Sequence, residues 1–335
     1  PILPIFNNKK EEKIYRDTLK KKLLKYSLSN DSKNPAKSLN ISLEQLLILD
    51  EVINKFGKLD IRDITGKDLI NKEIDLFTYS FPCQNISQQG KRDGFSKGGE
   101  GKRSGLLWEI ERILKEIKSL DKSRLPKVLM MENVKAILNE EFKSDLDLWI
   151  NELEKIGYKN TKPFIINSSN VGSPQSRSRV FMVSKLDGNI EEFPEEENIK
   201  NGKLLDILQK VEKREILDKS KYLGFIKNEP RNKNTIKKAT LQGYTTFMSE
   251  NYVYYKDGLV PTITASGAQS RIKFFEDNGD ICYLNSLEHL LLQDFPKSFY
   301  EKLKKLNFTE TKIKFLAGNS INVKVLEKIF EFYLK

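Results

Sequence analysis

Hydrophobic residues recur at intervals of three and four in several stretches of the chain, a spacing that places them on one face of a helix. Residues 41–56 and 105–120 show the pattern most clearly, and Gly57 follows the first of them. Both stretches are therefore predicted to form amphipathic helices. The same spacing predicts further helices at 146–156, 287–292 and 322–333.

Short apolar runs alternate with these helices in the first half of the chain. The runs at 74–81, 128–134, 164–166 and 179–184 have the length and composition of buried strands. Residues 58–65 resemble a short strand followed by a turn. Because strands separated by helices are joined by right-handed crossovers, we expect an α/β fold with a mainly parallel, doubly wound sheet.

The regularity weakens beyond Leu186, and the acidic, turn-forming stretch 191–197 suggests a boundary. Aromatic and β-branched residues in 245–270 are interrupted by Asp257-Gly258, which predicts a hairpin. We expect an α/β domain over residues 1–188, a smaller, irregular β-rich domain over residues 189–305, and a final segment over residues 306–335 whose helix returns to the first domain.

Composition narrows the classes of function. A net charge of +11 suits a polyanionic partner, although a lysine-rich proteome would give a similar excess. No apolar run reaches the roughly 18 residues of a membrane span. Two cysteines do not make a disulfide framework, which indicates a reducing cytoplasm. A single histidine makes a histidine-based triad or zinc site hard to build, and we expect no metal.

Three polar clusters fall next to predicted strands. Cys83 follows the first strand, Glu132-Asn133 ends the second, and Arg177 and Arg179 lead into another. Strand ends at one edge of such a sheet converge on a crevice, so a thiol, a carboxylate and two guanidiniums would meet there. Neighbouring arginines lower the pKa of a thiol and so favour the nucleophilic thiolate. Such a thiolate beside a carboxyl group suits attack on an electron-poor ring followed by proton transfer.

Each of these residues also has a structural explanation. A lone cysteine is most often a buried, small hydrophobic residue. Glu132-Asn133 would serve equally as a helix cap, and the two arginines as surface charges. Only their joint placement at strand ends favours a site.

The ordered motifs PCQ, ENV, QSRSR and GNS resemble those of the cytosine carbon-5 DNA methyltransferases. The resemblance extends from about Ser27 to the C-terminus and is marked for the mollicute enzymes that methylate CpG. It implies a Rossmann-like methyltransferase sheet, a target-recognition domain over residues 189–305, S-adenosylmethionine as methyl donor, double-stranded DNA as substrate and a cytoplasmic location. The motifs lie at 82–84, 132–134, 175–179 and 318–320.

The resemblance also assigns roles to individual residues. It implies that the Cys83 thiolate adds to carbon 6 of a flipped cytosine, and that Glu132 holds ring N3 and the exocyclic amine. Arg177 and Arg179 would hold the carbonyl edge and order the site. The implied cofactor-binding residues are Asp63, Ile64, Pro82, Leu107, Asn319 and Ser320. The implied DNA-binding residues are Gln84, Ser87, Gln89, Ser266, Gln269, Ser270 and Arg271.

The sequence departs from the family at its start. The opening strand, Phe-x-Gly-x-Gly turn and helix that cradle the methionine part of the cofactor are not present, so the sheet is expected to lack its first strand–helix units. We expect an excerpted chain, a truncated gene product or an enzyme completed by a separate N-terminal polypeptide. Two alternatives remain open: a catalytically inactive DNA-binding remnant, and a thiol hydrolase using Cys83.

Overall fold

The computed structural model describes residues 3–26, 39–56, 60–82, 103–194, 202–210, 214–228 and 236–334. The chain divides into two compact units. The first comprises Pro1–Ile74 and Gly105–Leu125, and the second Asp75–Ser104 and Pro126–Lys335. The expected domain boundaries after residues 188 and 305 stay predictions.

The described part of the first unit is helical. Helices α1 and α2 bury their apolar positions in one shared cluster that includes Leu23 and Leu46. The three-and-four spacing that predicts α2 therefore corresponds to its buried face. The helices are α1 (Lys9–Leu24), α2 (Leu43–Phe56), α3 (Gly66–Leu69) and α4 (Leu107–Leu120).

A 3₁₀ turn at Ile61–Asp63 replaces the short strand expected in this part of the first unit. The Asp60 carboxylate accepts a hydrogen bond from the backbone N–H of Arg62 at 3.0 Å. Its hydrogen bond from the Arg62 side chain lowers the pKa of Asp60 to about 2. An aspartate that bonds to the backbone two residues ahead favours a turn, which explains the difference from the prediction.

A mixed sheet forms the first half of the second unit. Strand β1 (Leu76–Tyr79) pairs in parallel with β2 (Val128–Val134), and β2 pairs antiparallel with β6 (Ser178–Lys185). Two further strands, β3 (Lys159–Asn160) and β4 (Phe164–Asn167), also lie antiparallel to β6. Helix α5 (Glu140–Ile156) follows β2 in the chain.

The strand directions correct one detail of the sequence prediction. The α/β class is confirmed, but only one of the pairings just described is parallel, whereas a mainly parallel sheet was expected. Only residues 168–177 separate β4 from β6. A parallel neighbour requires a crossover of a dozen or more residues, so this short connection returns the chain antiparallel.

Helix α9 (Val323–Tyr333) packs on this sheet. Its buried residues Val325 and Ile329 share a cluster with Met130 of β2 and Phe181 of β6. The C-terminal helix therefore helps to fix the two strands that carry Glu132 and Arg179.

The rest of the second unit contains a second sheet, whose strands lie in the spatial order β12, β11, β9, β8, β7. Helices α6, α7 and α8 share a buried cluster with this sheet. The strands are β7 (Gly224–Asn228), β8 (Lys238–Gln242), β9 (Tyr252–Tyr254), β11 (Lys273–Phe275) and β12 (Ile281–Tyr283). The helices are α6 (Ser286–Leu291), α7 (Lys297–Lys305) and α8 (Glu310–Asn319).

The hairpin expected around Asp257-Gly258 is wrong. Strand β9 pairs with β8 and β11, while β10 (Val260–Pro261) pairs in parallel with β5 (Gln175–Ser176). The chain does turn at Gly258, whose N–H donates to the carbonyl of Tyr255 at 3.2 Å. The strand that leaves the turn finds its partner elsewhere in the unit, because a turn signal fixes a change of direction and not the pairing of the next strand.

Candidate active site

Glu132 lies near the end of β2 with 8% of its surface exposed. In the antiparallel register it faces Phe181, which places Arg179 diagonally across from it on the same side of the sheet. The Nε atom of Arg179 lies 3.2 Å from the Glu132 Oε1 atom. The structure therefore brings together the carboxylate and one of the two guanidiniums that the sequence singles out.

Two hydrogen bonds attach the segment after β1 to the end of β2. Ser80 Oγ donates to Glu132 Oε2 at 2.8 Å, and Asn133 Nδ2 donates to the carbonyl of Phe81 at 3.2 Å. Pro82, a predicted cofactor residue, follows directly and is half-buried. Pro82, the first residue of the PCQ motif, therefore follows directly on a segment that is hydrogen-bonded to Glu132 and Asn133.

Ser80 is a site residue that sequence reasoning missed. The only available signal was its position at the strand end, three residues before Cys83. Serine is common at strand ends and in turns, so that position does not distinguish it.

Cys83, Gln84, Ser87 and Gln89 lie outside the described residues. Their roles in nucleophilic attack and in DNA binding stay predictions.

Arg177 is buried, with 5% of its surface exposed, and its guanidinium binds backbone carbonyls. Nη1 donates to Ile263 at 3.0 Å, and Nη2 donates to Ser320 at 2.8 Å and Gly318 at 3.3 Å. These bonds join the QSRSR motif to the GNS motif, which lies more than a hundred residues further along the chain. They fix the Arg177 guanidinium among backbone carbonyls, and its role toward the substrate stays a prediction.

The residues predicted to bind DNA in the C-terminal half lie on a short, internally bonded loop between β10 and β11. Ser270 Oγ donates to the carbonyl of Gly267 at 2.7 Å, and Thr264 Oγ1 donates to the carbonyl of Ser266 at 2.7 Å. Arg271 is exposed and lies over the ring of Tyr283, 5.0 Å from its centroid. Ser266 is also exposed, and Gln269 and Ser270 are partly exposed, so all four side chains can reach a ligand.

The predicted cofactor residues fall into two groups. Asp63, Ile64 and Leu107 belong to the first unit, where Arg112 Nη2 donates to the carbonyl of Ile64 at 2.7 Å. Pro82 belongs to the second unit, as do two residues at the end of α8, Asn319 and Ser320.

His289 has no exposed surface, and its Nδ1 donates to the carbonyl of Asn285 at 2.7 Å. Burial lowers the pKa of His289 to about 4, so the imidazole is neutral near pH 7. A fully buried imidazole is a poor general base for a substrate, which removes support from the thiol-hydrolase alternative.

Within the described ranges, no cluster of three histidine, cysteine or acidic side chains is arranged to hold a metal ion. None of the helices described is both long enough and apolar enough to cross a membrane.

The motifs and their geometry agree with a comparison against known families. A family model described as C-5 cytosine-specific DNA methylase matches residues 46–335. The chain belongs to this family. It is therefore a DNA (cytosine-5-)-methyltransferase polypeptide, of a family whose methyl donor is S-adenosylmethionine.

Two individual methyltransferases support the assignment. The orphan methyltransferase M.SssI of Spiroplasma monobiae is 38% identical over 343 residues, which cover 98% of this chain and 85% of that relative. The type II methyltransferase M2.ScrFI of Lactococcus lactis subsp. cremoris is 39% identical over 158 residues, covering 47% of this chain and 40% of its own length.

Solved structures support the fold of this methyltransferase. The S. pombe Dnmt2 methyltransferase superposes with a TM-score of 0.58 at 20% sequence identity, covering 86% of this chain and 88% of that one. At this identity the likeness shows the fold alone, and it confirms the Rossmann-like methyltransferase class.

Proposed function

We propose that this chain methylates carbon 5 of cytosine in CpG within duplex DNA, with Cys83 as the nucleophile. The observation that carries the proposal is the bonded group formed by Ser80, Glu132 and Arg179 beside the PCQ motif. CpG is proposed because the chain resembles mollicute CpG enzymes and is 38% identical to M.SssI, which comes from a Spiroplasma.

The chemistry begins with the Cys83 thiolate, which forms a bond to carbon 6 of the ring and moves an electron pair toward carbon 5. A proton shared between the Glu132 carboxyl group and ring N3 stabilises that charge, and Arg179 holds the carboxyl group in place. S-adenosylmethionine, when bound, would supply an electrophilic methyl group to carbon 5; its sulfur–methyl bond would break and the neutral thioether would leave as S-adenosylhomocysteine. Loss of the carbon 5 proton to a base then lets the bond from Cys83 to carbon 6 break and restores the aromatic ring. The cytosine must leave the helix first, because its ring faces are covered in a stacked duplex.

The predicted cofactor residues suit S-adenosylmethionine chemically. Asp63 and Asn319 are exposed, so a carboxylate and an amide are available for the ribose hydroxyls and the methionine groups. Ile64 is half-buried and offers apolar surface to the adenine. Leu107 has no exposed surface, so its side chain would contribute by packing behind the site and not by touching the cofactor.

Covalent trapping tests the mechanism. A duplex carrying 5-fluorocytosine at CpG blocks loss of the carbon 5 substituent, so the enzyme stays attached after methyl transfer. We expect a DNA-linked product with S-adenosylmethionine, and peptide mapping should locate the bond at Cys83. The matched control is Cys282→Ala, because Cys282 is the buried, free cysteine of the described region. A cross-link that persists in Cys83→Ser would rule out this role for Cys83.

The second candidate function is a DNA-binding protein without methyltransferase activity. The family's Phe-x-Gly-x-Gly segment is not found within residues 1–335. We propose that these residues alone bind S-adenosylmethionine weakly, and that a separate N-terminal polypeptide carrying that segment would strengthen binding. Calorimetric titration with S-adenosylmethionine, with and without it, tests this. Low-micromolar binding by the chain alone would contradict it. The proposed setting is the bacterial cytoplasm, with association with the nucleoid when DNA is bound.

A further inference from the structure

Gln175 is fully buried and uses both ends of its side-chain amide. Its Oε1 accepts a hydrogen bond from the N–H of Ile263 at 2.8 Å, and its Nε2 donates to the carbonyl of Leu292 at 2.9 Å. A buried amide with two backbone partners fixes both segments, since breaking either bond leaves a polar group without a partner. Through these hydrogen bonds, Gln175 connects the segment before β6 to the segment that follows β10.

Arg177 strengthens the same connection two residues later. It binds the carbonyl of Ile263, so both the N–H and the carbonyl of that residue are held by side chains of the QSRSR motif. Thr262 Oγ1 donates to the carbonyl of Ser176 at 2.8 Å, and β10 pairs with β5. The base of the loop at residues 264–271 is thus bonded to residues 175–177 of the QSRSR motif.

Gly318 brings a third segment into the contact. A Cβ atom at this position would overlap the backbone of Thr264 and Ala265. Only glycine lets α8 approach the loop this closely. Arg177 also binds the carbonyl of Gly318, so the loop, the QSRSR motif and the end of α8 meet at one guanidinium.

The two ends of this connection have different functions. Arg179, two residues beyond Arg177, pairs with Glu132 at the site of chemistry. The loop beyond Ile263 carries Ser266, Gln269, Ser270 and Arg271, which are predicted to bind DNA. A rotation of the loop would therefore change the position of its DNA-facing side chains relative to Glu132.

We propose that Gln175 and Arg177 are positioning residues for sequence recognition, which hold the loop at residues 264–271 at a fixed distance and angle from the Glu132–Arg179 pair. The inference rests on the proposed function, because it takes the loop to face DNA. The ligand is a duplex whose target base pair and neighbours are recognised by polar side chains of the loop. Neither residue needs to contact DNA for this role.

The test uses substitutions that loosen the connection while keeping its volume. Gln175→Met removes both hydrogen bonds from a side chain of similar size, and Arg177→Lys keeps the charge but not the three-carbonyl contact. Gly318→Ala displaces the loop from the opposite side. The matched controls are Arg124→Lys, on a half-exposed surface arginine, and Gly224→Ala, where an added Cβ meets its nearest neighbour at 3.5 Å. Thermal unfolding verifies that each variant is folded.

Methyl transfer is measured on duplexes that differ only in CpG or CpA at the target, with the cofactor saturating and any completing polypeptide present. For Gln175→Met we expect KM for the CpG duplex to rise about tenfold or more, while kcat falls less. The ratio of kcat/KM between CpG and CpA should shrink by a similar factor. A role confined to stability would lower the melting temperature without changing that ratio.

Binding anisotropy of the same duplexes separates this inference from the proposed function. If the wild-type chain binds DNA but transfers no methyl group, the proposed activity fails, and the ratio of CpG to CpA affinity still tests the loop. A ratio that is the same in wild type, Gln175→Met and Gly318→Ala overturns the inference, whether or not methyl transfer occurs. A ratio that falls in these variants and not in the two controls supports it.

Discussion

At the scale of single residues, the Glu132 carboxylate is held from two sides. Arg179 approaches one oxygen along β6, and Ser80 donates to the other from the end of β1. A carboxyl group that must meet a flipped base gains from being fixed in advance, because little reorganisation is then needed during the reaction. The two contacts differ in strength, since one is an ion pair and the other a single neutral donor.

Ser80→Ala tests the weaker contact. One hydrogen bond to a carboxylate is worth about 1.5–3 kcal/mol, so we expect kcat to fall roughly ten- to a hundredfold while KM for DNA changes little. The measurement is a single-turnover methylation rate on a CpG duplex. Ser119→Ala is the control, because Ser119 is exposed and bonds only to a carbonyl of its own helix among the contacts described. A change of KM with constant kcat would show that Ser80 acts on DNA binding instead.

Lys273 is a buried cation in the β-rich part of the second unit, with 2% of its surface exposed. Its Nζ lies 5.3 Å from the ring centroid of Tyr244, 5.7 Å from that of Tyr283 and 3.8 Å from a Glu250 oxygen. Burial lowers the pKa of Lys273 to about 8, Arg271 adds to this effect, and Glu250 opposes it.

The lowered pKa makes stability depend on pH. The unfolded chain holds the Lys273 proton up to its ordinary pKa of 10.5, whereas the folded chain releases it near 8. The unfolded state therefore binds more protons between these values, and the free energy of unfolding should rise with pH across this window. We expect urea denaturation to show this rise, of the order of 2 kcal/mol, in wild type and not in Lys273→Met. Identical curves for the two proteins would show that Lys273 is solvated in the folded state.

The sequence was sufficient for some residues and not for others. Glu132 and Arg179 could be singled out because each stands beside a strand end, although their pairing depends on the antiparallel direction of β6, which was not predicted. Gln175 could not be singled out, since its importance depends on backbone atoms of Ile263 and Leu292, which are remote in sequence. The burial of Lys273 could not be predicted either, because it depends on segments that cover both faces of β11. Its neighbours Ile272 and Phe274 are buried as well.

At the scale of elements, the local sequence pattern predicted whether a segment forms a helix or a strand more reliably than it predicted the segment's pairing partner. The helix α9 and the strand β2 were expected at nearly their observed bounds, because their apolar spacing is set by burial on one face or both. The pairing of β10 with β5 and the antiparallel β6 were missed. Strand pairing depends on the length of the connection and on the other strands available in the folded chain. A short apolar run specifies neither of them.

The contact of α9 with the first sheet gives a prediction at this scale. Ile329 has 1% of its surface exposed in the cluster with Met130 and Phe181. Ile329→Ala should lower the free energy of unfolding by about 2–5 kcal/mol, because a cavity forms where the helix meets β2 and β6. Chemical denaturation measures it, with Glu327→Ala on the exposed face of the same helix as control. Equal stability of the two variants would mean that α9 does not support the sheet.

At the scale of the whole molecule, the excess of basic residues acts over a longer range than any single contact. Part of the net charge of +11 lies beside the second sheet, where Lys221 and Lys227 are exposed on and before β7. Lysines on such a surface neutralise phosphates and release the counterions condensed on DNA. They would strengthen binding to any duplex, while the loop at 264–271 would distinguish one sequence from another.

Salt dependence separates these two contributions. We expect the double substitution Lys221→Gln with Lys227→Gln to weaken binding equally for CpG and CpA duplexes, and to reduce the slope of log affinity against log salt by about 2. The double substitution Lys302→Gln with Lys305→Gln removes the same charge from exposed positions of α7 and should leave the slope nearer that of wild type. Fluorescence anisotropy between roughly 50 and 200 mM salt covers the range in which such slopes are measured. An equal reduction of the slope by both double substitutions would mean that the net charge of the molecule governs DNA binding. The surface beside β7 would then make no phosphate contact of its own, because the loss of a local contact is not reproduced by removing charge elsewhere.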